Sequence, residues 1–238
     1  MENTVFCDSH AHMAEPGFGA DYPDLDSAEV IVTCTAKPDE WEAQSSIADP
    51  RAVKCYGVHP WYADQWDDET RGCLISILER EKGAHVGEIG LDSKRGTVAS
   101  QTDAFRGQLE IAGDMDRVAT VHMIGTEKEV LDTIRSLKAD GPGIVLHSYG
   151  SDSYVKPFAA EGCYFSISPR RLSRSDVRVS RLLGAVPEDR LLLETDAPHS
   201  GRGFEGMVPF AARLAGLLGT DAGTLLGTAA DNLRRLIG

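Results

Sequence analysis

The 238-residue chain is 42% hydrophobic, long enough to bury one large core, and no run of about 18 apolar residues suggests a membrane span. Its 24 basic and 37 acidic residues leave a formal charge of −13, which argues against broad electrostatic affinity for nucleic acid. Phosphate recognition must then be local, through metal ions or a confined basic patch. In chain order, apolar strand signals fall at 5–8, 30–35, 53–58, 85–89, 119–122, 144–147, 163–168 and 191–194. Helical spacing fills the intervals at 71–82, 101–114, 127–139 and 175–185, and the chain closes with 204–218 and 221–237. Strand and helix alternate without a linker, which predicts a single (β/α)8 TIM barrel over residues 1–238. An open doubly wound sheet is the competing arrangement. It would usually place a glycine-rich nucleotide loop after its first strand, where this chain has His10-Ala11-His12. The five cysteines are odd in number and lack Cys-x-x-Cys spacing, so the expected setting is reducing and cytoplasmic.

Barrels of this type build their sites at the C-terminal ends of the strands. Six of the seven histidines fall there: His10 and His12 after strand 1, then His59, His122, His147 and His199. His85 alone sits at a strand start and reads as a solvated or capping residue. Two carboxylates join the rim, Glu88 on strand 4 and Asp196 after strand 8. A carboxylate among apolar strand residues is costly unless it is paired or metal-bound. His10, His12, Glu88, His122, His147 and Asp196 are together enough to hold two divalent ions. Imidazole with carboxylate suits Zn2+, Mn2+ or Fe2+, and carboxylate with water admits Mg2+.

The order of Asp8-Ser9-His10-Ala11-His12-Met13, Gly57-Val58-His59-Pro60, Gly87-Glu88-Ile89-Gly90-Leu91-Asp92, Val121-His122, Leu146-His147-Ser148 and Glu194-Thr195-Asp196-Ala197-Pro198 resembles the TatD-like metal-dependent hydrolases of the amidohydrolase superfamily. The resemblance implies that His10, His12, Glu88 and Asp196 hold one metal. Glu88, His122 and His147 would hold the second, with Glu88 bridging. A hydroxide between the ions would be the nucleophile, and Asp196 would orient it and take its proton. Asp92 and His199 would stand at the rim or behind the ligands.

The family implies a phosphodiesterase, most often a deoxyribonuclease with 3′–5′ exonuclease character. Three departures bear on substrate: Ile124 stands where members usually carry an arginine, His147-Ser148-Tyr149-Gly150-Ser151 replaces His-Cys-Phe-Ser-Gly, and the segment between strands 1 and 2 is shortened. Arg170 and Arg171, just after strand 7, are candidate phosphate contacts, as is Lys94-Arg95. His59 reads either as a substrate contact or as packing under Pro60. Arg174, Arg178 and Arg181 have the spacing of a solvated helix face. Trp61, Tyr62 and Trp66 either line the mouth or pack the loop. The expected substrate is a DNA end; the alternative is a small amide, ester, lactone or phosphoester cleaved at the same site. A third reading is a non-catalytic metal-binding protein.

Overall fold

The computed structural model describes residues 5–137, 143–201 and 203–238, leaving aside the side chains of 20 and 21. Its eight strands are β1 (Phe6–Ala11), β2 (Ala28–Cys34), β3 (Ala52–Tyr56), β4 (His85–Asp92), β5 (Ala119–Ile124), β6 (Ile144–Leu146), β7 (Tyr164–Ile167) and β8 (Leu191–Leu193). Each pairs in parallel with the next, in the order β1 to β8. The helices are α1 (Trp41–Ser45), α2 (Asp68–Arg80), α3 (Val98–Asp114), α4 (Glu127–Leu137), α5 (Val155–Ala160), α6 (Asp176–Ala185), α7 (Met207–Leu218) and α8 (Ala222–Ile237). This is the (β/α)8 barrel that the alternation predicts. No helix among the described residues is long and apolar enough to cross a membrane.

Local chemistry sets the helix boundaries. Asp67, Thr97 and Asp221 each accept an amide hydrogen from three residues ahead, capping α2, α3 and α8. The last helical pattern but one was expected from 204, yet α7 begins at Met207. Gly206, at φ 122°, turns the chain there, and both oxygens of Asp24 take the amides of Met207 and Val208. Part of the expected 127–139 helix lies outside the described residues.

The last bonds of the barrel come from the segment just after β8. Asp196 N–H donates to His10 O at 2.9 Å, and His12 N–H donates to Ala197 O at 2.8 Å. Buried Asp8 reinforces the seam by accepting from Thr195 N at 3.0 Å and Thr195 Oγ1 at 2.6 Å. Helix α8 packs on β1 and β8, covering this join. Cys7, Cys34, Cys55 and Cys163 are buried and unpaired, and burial pushes the Cys7 thiol up to about 11 and that of Cys163 to about 12. They behave as small apolar residues.

Candidate metal centre

Strand β1 runs further than its apolar signal, so His10 lies inside it and His12 just beyond. The rings meet at the barrel mouth, with His10 Nε2 and His12 Nε2 3.2 Å apart. Asp196 Oδ1 completes this group, 3.9 Å from His10 Nε2 and 3.6 Å from His12 Nε2. Asp196 holds this position in a left-handed backbone conformation, φ 57°, which is rare away from glycine.

Glu88 stands at the middle of the site. Its Oε2 lies 3.4 Å from His10 Nε2 and 3.7 Å from His12 Nε2. Its Oε1 faces His122 Nδ1 at 2.8 Å, His59 Nε2 at 3.5 Å and His147 Nε2 at 3.7 Å. Gly90 lets β4 and β5 come together beside it: a Cβ there would collide with His122 O, and its φ is 135°. The six residues expected to bind metal are therefore brought into one volume. Together with His59, which was not among the six, they fall into overlapping triads: His10, His12 and Asp196; His10, Glu88 and His147; and His59, Glu88 and His122.

The partners of each ring decide which nitrogen can bind an ion. His12 Nδ1 faces the Cys34 carbonyl at 3.1 Å, so its proton belongs there and Nε2 looks into the site. His147 Nδ1 lies 2.9 Å from Glu194 Oε1, which again leaves Nε2 facing inward. His122 sits between two carboxylates, with Nε2 3.2 Å from Asp92 Oδ2 and Nδ1 at Glu88. His59 is different. Its Nδ1 accepts the Trp61 amide at 3.1 Å, so the neutral ring carries its proton on Nε2 and offers Glu88 a donor rather than a lone pair. Burial also pushes the His59 ring down to about 3, keeping it neutral.

Five carboxylates are buried here: Asp8, Glu88, Asp92, Glu194 and Asp196. Burial alone would raise Glu88, but the charge of His147 and the bonds of His10 and His122 hold it well below the usual carboxylate range. Burial likewise opposes ionisation of Asp196, and its bond to His12 overcomes that. Burial resists charge on His12 and His147, yet Asp196 and Glu88 lift His12 to about 9, and Glu194 and Glu88 lift His147 to about 10. A field that draws protons this strongly also favours a cation. His10 is pushed down, because its burial and the charge of His147 outweigh its bond to Glu88.

The remaining candidates separate by position. Arg170 reaches the centre: its Nε lies 3.3 Å from Asp196 Oδ2 and donates to His199 O at 2.8 Å. Arg171, expected beside it as a phosphate contact, turns away. Its Nη2 donates to Ser148 O at 2.6 Å and Ser148 Oγ at 2.9 Å, which makes it a tie for the loop after β6. Arg174 donates to Gly150 O and Arg181 pairs with Asp152. Trp61 is 44% exposed at the mouth, donates its indole N–H to Asp92 Oδ2 at 2.7 Å and carries Arg95 over its ring. Trp66 packs against Gly107 of α3. His199 pairs with Glu15 at the rim. His85 is not solvated; it is buried and accepts the Val118 amide through Nδ1. Sequence reasoning missed the roles of Asp8 and Glu194, although both lie inside the quoted motifs. The signal was there: each is an acid that closes an apolar strand signal, at 5–8 and 191–194.

The chain matches the family model described as TatD related DNase over residues 7–237. It is 27% identical over 226 residues to the 3'-5' ssDNA/RNA exonuclease TatD of Escherichia fergusonii, covering 88% of this chain and 87% of that protein. To the same-named protein of Erwinia billingiae it is 31% identical over 177 residues, covering 71% and 67%. A solved TatD homologue from Escherichia coli K12 superposes with a TM-score of 0.86 at 22% identity, covering 98% of both chains. A hydrolase TatD family protein from Entamoeba histolytica gives 0.80 at 13% identity, again over 98% of each. At these identities the two structures share the barrel, and the match over nearly every residue decides the rest: the chain belongs to the TatD-related DNase family.

Proposed function

We propose that this protein is a divalent-metal-dependent phosphodiesterase that trims nucleic-acid strands from an end, with single-stranded DNA as its first substrate. The observation that carries this reading is the division of Glu88, whose Oε2 faces His10 and His12 while Oε1 faces His59, His122 and His147. One carboxylate shared by two donor groups fits two neighbouring ions. The donor chemistry fits as well, because His12 and His147 direct Nε2 inward and ionised carboxylates surround them. His10, His12, Glu88 and Asp196 would hold one ion, and Glu88, His122 and His147 the other. Zn2+, Mn2+, Fe2+ and Mg2+ all suit this mixture. Such ions supply Lewis acidity, drawing charge from a phosphoryl oxygen and making water acidic near neutral pH.

The chain's own groups do the rest. Asp196 is the base: it accepts the proton that an attacking water gives up, and its low affinity for protons at rest keeps it ionised for that task. Arg170, against Asp196 Oδ2, would pair with a phosphate oxygen. His59 would donate from Nε2 to the substrate. Relatives named as 3'-5' ssDNA/RNA exonucleases support strand ends as the substrate class. One observation favours a second reading, hydrolysis of a small ester, lactone or phosphoester: Ile124, 36% exposed, replaces the arginine expected beside His122.

The deciding experiment offers end-labelled single-stranded DNA to protein loaded with Mg2+, Mn2+ or Zn2+, beside Glu88→Ala. End-trimming that chelation abolishes, with loss of activity and metal in a folded Glu88→Ala variant, is the expected result. No trimming under any of these ions, with turnover of a small ester or lactone, overturns the nuclease reading.

A further inference from the structure

Beside the metal centre lies a cleft of about 530 Å3, bounded by the segments after β7 and β8 and by one face of α7. Arg170 belongs to both spaces. It lines the cleft, while its Nε lies 3.3 Å from Asp196 Oδ2 in the centre. Phe204 lines the cleft half-buried, as an aromatic wall. Ser200 lines it too. It is only 4% exposed, and its Oγ has no hydrogen-bond partner among the described residues. A buried hydroxyl without a partner is costly, and a ligand atom would satisfy it.

Charge narrows the occupant. The N-terminus of α7 is closed to anions, because Asp24 already takes the amides of Met207 and Val208. Arg213, on the α7 side, is paired with Asp176. Glu205, exposed on the cleft lining, would repel a second phosphate but accept hydrogen bonds from the amino edge of a base. Among the described residues, one cation at the inner end, an aromatic wall, a waiting hydroxyl and an acceptor carboxylate suit a nucleoside attached to one phosphate.

We infer that this cleft seats the terminal nucleoside of the strand, its base against Phe204 and its phosphate held by Arg170 at Asp196. The inference rests on the phosphodiesterase reading above and names the part of the substrate that reading leaves open. A base stacked on a single aromatic residue is sequence-tolerant, and its removal costs about tenfold or more in binding.

The test is a cycle of two changes, using wild-type protein and Phe204→Ala on two single-stranded DNA oligonucleotides. One oligonucleotide is intact and the other is abasic at the nucleotide to be removed. Each change alone should lower kcat/KM about tenfold, chiefly through KM, and the two together should cost no more than either one. Phe204→Tyr, which keeps a ring, should restore the preference for the intact end, and Phe204→Leu serves if the alanine variant melts early. Losses that multiply to about a hundredfold place the base elsewhere and overturn the subsite, while leaving the phosphodiesterase standing. If the wild-type protein, loaded with Mg2+, Mn2+ or Zn2+, trims neither strand, the phosphodiesterase reading fails and the subsite falls with it.

Discussion

Glu194 Oε1 lies 2.9 Å from His147 Nδ1, and the same oxygen accepts the Ser148 amide at 2.9 Å. Fully buried, Glu194 fixes the ring so that Nε2 faces Glu88. Carboxylates that orient a ligating imidazole typically govern metal affinity by 10–100-fold. Glu194→Gln should therefore weaken metal binding by about that factor while the barrel stays folded. Competition with a chromophoric chelator reads the affinity, and an unchanged value would remove Glu194 from the metal site.

Asp8 ties the two ends of the sheet together through Thr195 N and Thr195 Oγ1. Burial pushes its carboxyl up to about 7, the cost of keeping an acid in so enclosed a place. Removing it leaves buried donors unsatisfied, each worth about 1–3 kcal/mol. Asp8→Ala is expected to lose about 3 kcal/mol in urea unfolding. A loss below about 0.5 kcal/mol would mean that the seam is held by its backbone bonds alone.

Ile124 ends β5 two residues beyond His122 and is exposed. An arginine there would add a phosphate contact at the mouth. Ile124→Arg should tighten binding of single-stranded DNA and steepen the fall of log K with log salt by about 0.7. A slope that does not change would show that the strand passes elsewhere.

His85 gives a pH dependence remote from the metal centre. Burial pushes it down to about 4 from an ordinary 6.5, and its Nδ1 is occupied by the Val118 amide. The folded ring therefore binds protons less readily than the unfolded one. Its contribution is complete above pH 6.5 and is lost as pH falls from 6.5 towards 4. Over that window the wild-type protein should lose about 3 kcal/mol more than His85→Gln. Parallel stability curves for the two proteins would contradict this.

The barrel was legible because each strand carries a dense apolar run and each long helix a regular stripe. The family was legible for a similar reason: its motifs keep their order from Asp8 to Pro198. Short elements escaped. Helices α1 and α5 span five and six residues, too few for a periodicity to register. The end of β1 escaped because its last residues are polar for the sake of the site. Side-chain direction was the harder loss. Arg170 and Arg171 are neighbours on one tight turn, yet one meets Asp196 and the other Ser148. The state of His59 depends on the Trp61 amide folding back onto Nδ1, which no spacing of histidines reveals.

The seam that closes the barrel has a consequence for when the protein can act. His10 and His12 belong to the first strand, and Asp196 follows the last. Their meeting depends on the bonds that join those two edges. A chain still emerging from the ribosome has His10 and His12 long before it has Asp196. An enzyme able to degrade nucleic acid would thus stay harmless throughout its own synthesis, becoming competent only when the final strand arrives.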